Sequence, residues 1–153
     1  MYTNQHRDVF TTIGLGFRVS KAAADLPQTG VQNLFTVSVG RVIVMAMVGE
    51  VTTIMGATAN NTKINSNPTV GTTSIVASNL ATENDEAGTI YHVEGDGTAL
   101  VGVAAGHCPC LAQIRWICPI GTIELETAGN NTGATKWDLW YFPLDEGASV
   151  VSA

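Results

Sequence analysis

The chain has 153 residues, of which 45% are hydrophobic and only 13% are charged, and its formal net charge is −6. This length suits one domain with a buried core, and the low charge predicts a polar but largely uncharged surface. The acidic balance argues against nucleic-acid binding, because phosphate-binding proteins carry clustered basic residues. The longest apolar run, residues 42–48, is too short for a membrane-spanning helix.

The first third of the chain predicts strands joined by a tight turn. Apolar residues alternate in 10–20 and predict one buried strand face, made of Ile13, Leu15, Phe17 and Val19. Residues 21–26, KAAADL, are predicted to form at most one helical turn. The pentapeptide LPQTG that follows resembles a cell-wall sorting signal, but such signals lie at the C-terminus. We interpret it as a turn in which Pro27 fixes φ and Gly30 supplies a permissive end.

The next segments predict a pair of strands and a more open middle. Residues 32–40 alternate and place Phe35, Val37 and Val39 on one face. Residues 41–51 are apolar on both faces, which is typical of a central strand. Short strands are predicted at 62–64 and 74–77.

The last part of the chain has the clearest strand pattern. Strands are predicted at 88–95, 100–104, 111–118 and 121–127, and a hairpin loop, AGNNTGA, precedes a closing strand at 136–144. Pro143 is expected to end that strand or to place it at a sheet edge. With nine or ten short strands, the sequence predicts one all-β domain, a Greek-key or jelly-roll β-sandwich. We expect an N-terminal strand and possible arm at 1–25, the sandwich core at 26–146 and a C-terminal tail at 147–153.

All three cysteines lie close together in the sequence, near a histidine. His107, Cys108, Cys110 and Cys118 offer zinc-binding atom types, but the Cys-Pro-Cys spacing does not fit a zinc knuckle. We interpret the cysteines as small buried hydrophobic residues, with a disulfide or subunit contact as the alternative. No metal site and no cofactor are predicted.

Two acidic groups have the residue types of a catalytic or a calcium site. Glu124 and Glu126 lie on one face of a strand, about 7 Å apart, near the spacing of retaining glycosidase carboxylates. Strict alternation favours an ordinary solvent-exposed strand face instead. The loop at 83–86, Glu-Asn-Asp-Glu, lacks the EF-hand spacing and is interpreted as a solvated acidic loop. Since no nucleophile, phosphate-loop or zinc-protease motif is present, we expect no enzymatic activity.

The closing strand carries aromatic residues on both faces. Trp137, Leu139 and Tyr141 point one way, whereas Asp138, Trp140 and Phe142 point the other. One face belongs to the core, and the other requires cover from a loop or from another subunit. The sequence therefore suggests an assembly interface, which comprises Tyr2, His6 and Arg7 of the N-terminal arm together with Trp137, Trp140, Tyr141 and Phe142.

Several phrases resemble small structural proteins of tailed double-stranded DNA phages, of the capsid decoration or cement type. They include LFTVSVGRVIVMAMVGEVTT and GTIELETAGNNTGATKWDLWYFPLDEGASVVSA, and the resemblance covers residues 26–153. It implies a β-rich homotrimer on the outside of the capsid, which binds the major capsid protein and clamps neighbouring subunits against DNA pressure.

The expected function is therefore that of a virion structural protein, made in the host cytoplasm and located on the outer capsid surface, without nucleic-acid or membrane binding. The first alternative is an adhesion module of a tail, baseplate or fibre. The second is a carbohydrate-binding or carbohydrate-cleaving β-sandwich that uses Glu124 and Glu126.

Overall fold

Eleven β-strands make up the regular structure of the described part of the chain. The computed structural model describes residues 14–94, 99–104 and 115–153. The strands are β1 (Phe17–Asp25), β2 (Gly30–Ser38), β3 (Val42–Thr53), β4 (Asn61–Pro68), β5 (Ser74–Ala81), β6 (Ile90–His92), β7 (Val101–Val103), β8 (Trp116–Cys118), β9 (Gly121–Thr127), β10 (Ala134–Pro143) and β11 (Ser149–Ser152). None of the described residues belongs to a helix that is long and apolar enough to cross a bilayer.

The strands form two antiparallel sheets, which confirms the predicted β-sandwich. Sheet A has the order β1-β10-β3-β6-β7, with β8 also paired to β3, and sheet B has the order β11-β2-β9-β4-β5. Strands β1 and β10, β2 and β9, β3 and β6, and β4 and β5 are hydrogen-bonded neighbours. Such nested pairing of early strands with late ones is the connectivity of a jelly roll, to which sheet A adds β7 and β8 and sheet B adds β11.

The core lies between the two sheets and is built from their inward-facing residues. Phe35, Ile64 and Leu125 come from sheet B, and Met47 and Leu139 come from sheet A; all five are buried. Strand β3 is internal to sheet A, as its two-sided apolar pattern predicts. Removal of these apolar faces from water is the main force that holds the sheets together.

Trp137 is the largest side chain in the core and its packing is unusually specific. Its ring stacks on Tyr91 with centroids 6.2 Å apart, and its Nε1 donates to Thr135 Oγ1 at 3.0 Å. The ring lies directly over Gly49, where an added Cβ would be 2.7 Å from ring carbons. Only a residue without a side chain leaves room for the indole at this position.

The LPQTG segment is a turn that crosses between the sheets, from β1 in sheet A to β2 in sheet B. Leu26 is buried and its N–H donates to Gly133 O at 3.1 Å. Gln28 Nε2 donates to Asn131 O at 2.7 Å, which ties the segment to the loop before β10. The positive φ of 49° falls on Thr29, so Gly30 is not the permissive residue that the sequence suggests.

The N-terminal part of the sandwich differs from the prediction. Residues 21–25 are not helical, since they continue β1 as an edge strand paired with β10. The predicted buried face of this strand is also wrong for Leu15 and Phe17, which are 43% and 50% exposed. An edge strand has a neighbour on one side only, so its side chains receive less cover than those of an internal strand.

The C-terminal part confirms one prediction and corrects another. Pro143 is the last residue of β10, so it ends the strand as predicted, and β10 itself is internal because it lies between β1 and β3. The supposed tail at 147–153 contains β11, in which Ser149–Ser152 pairs with residues 35–38 of β2. Val150 in this strand is buried and contributes to the core.

The Trp137–Gly49 contact predicts a large effect of a small substitution. Gly49→Ala is expected to lower the free energy of unfolding by about 1–3 kcal/mol, because the new methyl group overpacks the indole. The matched control is Gly14→Ala, since no heavy atom lies within 4 Å of a Cβ built there. Urea unfolding of both variants checks this, and equal stabilities would contradict the packing argument.

Candidate functional site

Strand β10 divides its aromatic residues between the core and the outer surface. Trp137 and Tyr141 face inward and are 1% and 7% exposed, so the assignment of these two residues to an assembly interface does not hold. Trp140 and Phe142 lie on the outer face and are half-buried. Tyr2, His6 and Arg7, the other predicted interface residues, lie outside the described residues.

Neighbouring strands extend the outer aromatic face into an apolar strip. Phe142 pairs with Ile43 of β3, and Ile43 pairs with Ile117 of β8. Trp140 pairs with Ala46 of β3. Directly opposed residues of an antiparallel sheet lie on the same face, so these five residues form one surface, named here the outer strip. Ile117 at its end is 59% exposed.

Ion pairs adjoin the outer strip on the same face of sheet A. Arg18 of β1 lies over Trp140, with 5.5 Å from its guanidinium carbon to the ring centroid, and its Nη2 is 2.8 Å from Asp138 Oδ1. Ser20 Oγ also donates to Asp138 Oδ1. Exposed ion pairs contribute at most about 1 kcal/mol each, so their main effect here is to orient Arg18 on the indole.

The edge strand β1 leaves apolar surface exposed on the inward face of sheet A, opposite to the outer strip, because Phe17 pairs with inward-facing Tyr141. Phe17 contacts Tyr141 with ring centroids 5.8 Å apart, yet half of its side chain remains accessible. A Cβ at Gly16 would collide with the Tyr141 carbonyl, which shows how closely the chain before β1 approaches β10. The sequence pattern predicts that Phe17 is buried in the core, whereas half of its side chain is accessible in the folded chain.

The Glu124 and Glu126 carboxylates belong to a hydrogen-bonded network on the outer face of sheet B. Glu124 is 6% exposed, which corrects the expectation of a solvent-exposed side chain. Its Oε1 accepts from Asn67 Nδ2 at 2.8 Å and from Thr122 Oγ1 at 2.7 Å. The burial follows from position, because β9 is the middle strand of sheet B.

Glu126 is held in a similar way by its neighbours on β4. Its Oε2 accepts from Asn65 Nδ2 at 2.6 Å, and its Oε1 is 3.0 Å from Lys63 Nζ. Burial by itself raises the pKa of Glu126, but the hydrogen bonds from Lys63 and Asn65 outweigh it and lower the pKa. Because neighbouring side chains engage both carboxylates, we describe the pair as a structural network.

The remaining candidates are structural where the structure describes them. Cys118 is buried beside Ser66, and burial raises the pKa of its thiol, while His107, Cys108 and Cys110 lie outside the described residues. Within 14–94, 99–104 and 115–153, no three His, Cys, Asp or Glu side chains group as metal ligands.

The acidic loop at 83–86 is anchored to the core rather than simply solvated. Tyr91 Oη donates to Asp85 Oδ2 at 2.6 Å, and the Asp85 carbonyl accepts from the N–H of Met55. Burial raises the pKa of Asp85, and burial together with the Asp85 hydrogen bond raises the pKa of Tyr91. Folding therefore stabilises the neutral, protonated form of the Tyr91 side chain.

The raised pKa of Tyr91 predicts a loss of stability at alkaline pH. Its stabilising effect is complete below the unfolded pKa of about 10 and declines above it by roughly 1.4 kcal/mol per pH unit. Tyr91→Phe should be less stable than the wild type by about 1–2 kcal/mol at pH ~8, through loss of the hydrogen bond. This difference should shrink between pH ~10 and ~11 in urea unfolding. A constant difference across that range would refute the assignment.

Comparison of the chain with protein-family models, with curated proteins and with solved structures finds no match in any of the three.

Proposed function

We propose that this protein is a structural component of a tailed-phage virion, which binds the major capsid protein and stabilises the outside of the capsid as a homotrimer. The observation that carries the proposal is the outer strip of sheet A. It is an apolar, partly exposed surface on the outside of the sandwich.

The composition of this surface supports a protein partner. Tryptophan and arginine are enriched among the residues that dominate binding energy at interfaces, and Trp140 lies here under Arg18. We therefore assign the outer strip to the contact between copies in the trimer.

The charge of the chain supports a position on the outside of a DNA-filled shell. A net charge of −6 is repelled by packaged DNA, whereas the low share of charged residues lets broad surfaces approach other subunits at little desolvation cost. The hydrogen-bonded state of Glu124 and Glu126 favours this structural role over a carbohydrate-cleaving site.

The outer strip can be tested on purified protein. Phe142→Thr should weaken self-association at least tenfold, since removal of a central aromatic side chain commonly costs about 2 kcal/mol or more at an interface. The matched control is Val31→Thr, a 51% exposed apolar residue on β2, in the other sheet. Sedimentation velocity over a concentration series measures both. A monomeric wild type, or equal effects of the two substitutions, would exclude the strip as the trimer contact.

Particle experiments test the location. The protein should be present in hundreds of copies per purified virion, and its return to stripped capsids should raise the temperature at which they release DNA. About a dozen copies or fewer would indicate the tail, baseplate or fibre module instead. If stripped and re-decorated capsids release DNA at the same temperature, the proposed stabilising role is wrong.

A further inference from the structure

A cavity of about 410 Å³ opens between the two sheets, where β4 and β5 of sheet B face β8 of sheet A. Its volume falls within the range of small-molecule sites, about 300–1,000 Å³. The walls come from the end of β4, the start of β5, the residue after β6 and the segment around β8. The lining residues are Ser66, Pro68, Ser74, Ile75, Val76, Val93, Arg115, Trp116, Ile117 and Pro119.

Two polar side chains of this cavity, Arg115 and Trp116, can only donate hydrogen bonds. The Nε1 of Trp116 is buried and has no hydrogen-bond partner. Arg115 adds a guanidinium, Ser66 and Ser74 add hydroxyls, and none of the described lining residues is acidic. A buried donor without an acceptor is unfavourable, so the site is suited to a ligand that supplies one. The chain has a net charge of −6, whereas the described lining of this cavity has one cation and no carboxylate, so the charge of the lining has the opposite sign.

The mouth of the cavity is apolar. Ile75 and Ile117 line it and are 46% and 59% exposed, and Val70 in the turn between β4 and β5 is 89% exposed. The N–H of Thr69 donates to Ile120 O at 2.9 Å, which ties this turn to the segment before β9. The mouth therefore offers aliphatic side chains to the apolar part of a ligand.

We propose that this cavity binds a small apolar ligand that carries a single carboxylate. The carboxylate accepts hydrogen bonds from Arg115 and from Trp116 Nε1, and the aliphatic body packs against Ile75, Val76 and Val93. A carboxylate suits the site because the guanidinium donates to it in a planar, bidentate manner. This inference goes beyond the proposed capsid role and is tested by ligand binding rather than by self-association, although Ile117 belongs both to the cavity mouth and to the outer strip.

Octanoate and octanol are suitable probes, because both have an eight-carbon chain, which ends in a charged carboxylate in octanoate and in a neutral hydroxyl in octanol. Titration followed by tryptophan fluorescence and calorimetry should show tighter binding of octanoate, by about tenfold or more. Ser74→Trp, which fills the mouth, should abolish binding of both probes. Equal affinity for the two probes, or no binding of octanoate up to its solubility limit, would overturn the proposal.

Two substitutions separate the roles of the donors. Arg115→Gln should lower octanoate affinity about tenfold and leave octanol unchanged, whereas Trp116→Phe should lower it several-fold while keeping the aromatic wall. The matched control is Lys136→Gln, which removes one positive charge from the outer face of sheet A, away from the cavity. If Lys136→Gln weakens octanoate as much as Arg115→Gln does, the effect is nonspecific electrostatics and the site is wrong.

Discussion

The contact between the Trp137 indole and Gly49 sets the orientation of much of sheet A. Strand β10 is paired on both sides, and its side chains alternate between the two faces of the sheet. With Trp137 fixed over Gly49 in the core, Leu139 and Tyr141 must also point inward. The same alternation then turns Trp140 and Phe142 outward, so the packing of one core residue is what creates the outer strip.

The two outer faces of the sandwich differ in their chemistry: sheet B carries hydrogen-bonded carboxylates and sheet A carries an apolar strip. On sheet B, the buried carboxylate of Glu124 lies within hydrogen bonds from Asn67 and Thr122, so that face is largely satisfied by its own side chains. On sheet A, Arg18 and Asp138 pair with each other, whereas the outer strip beside them is built from apolar side chains. The assembly proposed above would therefore bury apolar area on this face.

Much of the fold could be predicted because local pattern and tertiary structure agree. Alternation identified β2 and the two faces of β10, and a two-sided apolar run identified β3 as internal. The turn chemistry of LPQTG was also informative, although the positive φ falls on Thr29. Where the structure differs, the cause is strand order, which no local pattern encodes: Phe17 is exposed because β1 is an edge strand, and Glu124 is buried because β9 is central.

The sequence by itself determined that this chain is an all-β sandwich with an aromatic strand near its C-terminus, because period-two alternation is a property of neighbouring residues. Only the tertiary structure decided which of those aromatic residues are available to a partner, since Trp137 and Tyr141 are buried by strands far away in the chain. The cavity beside Trp116 is likewise a product of folding. It joins residues from β4, β5 and the β8 segment, which are separated in sequence and meet only when the two sheets pack.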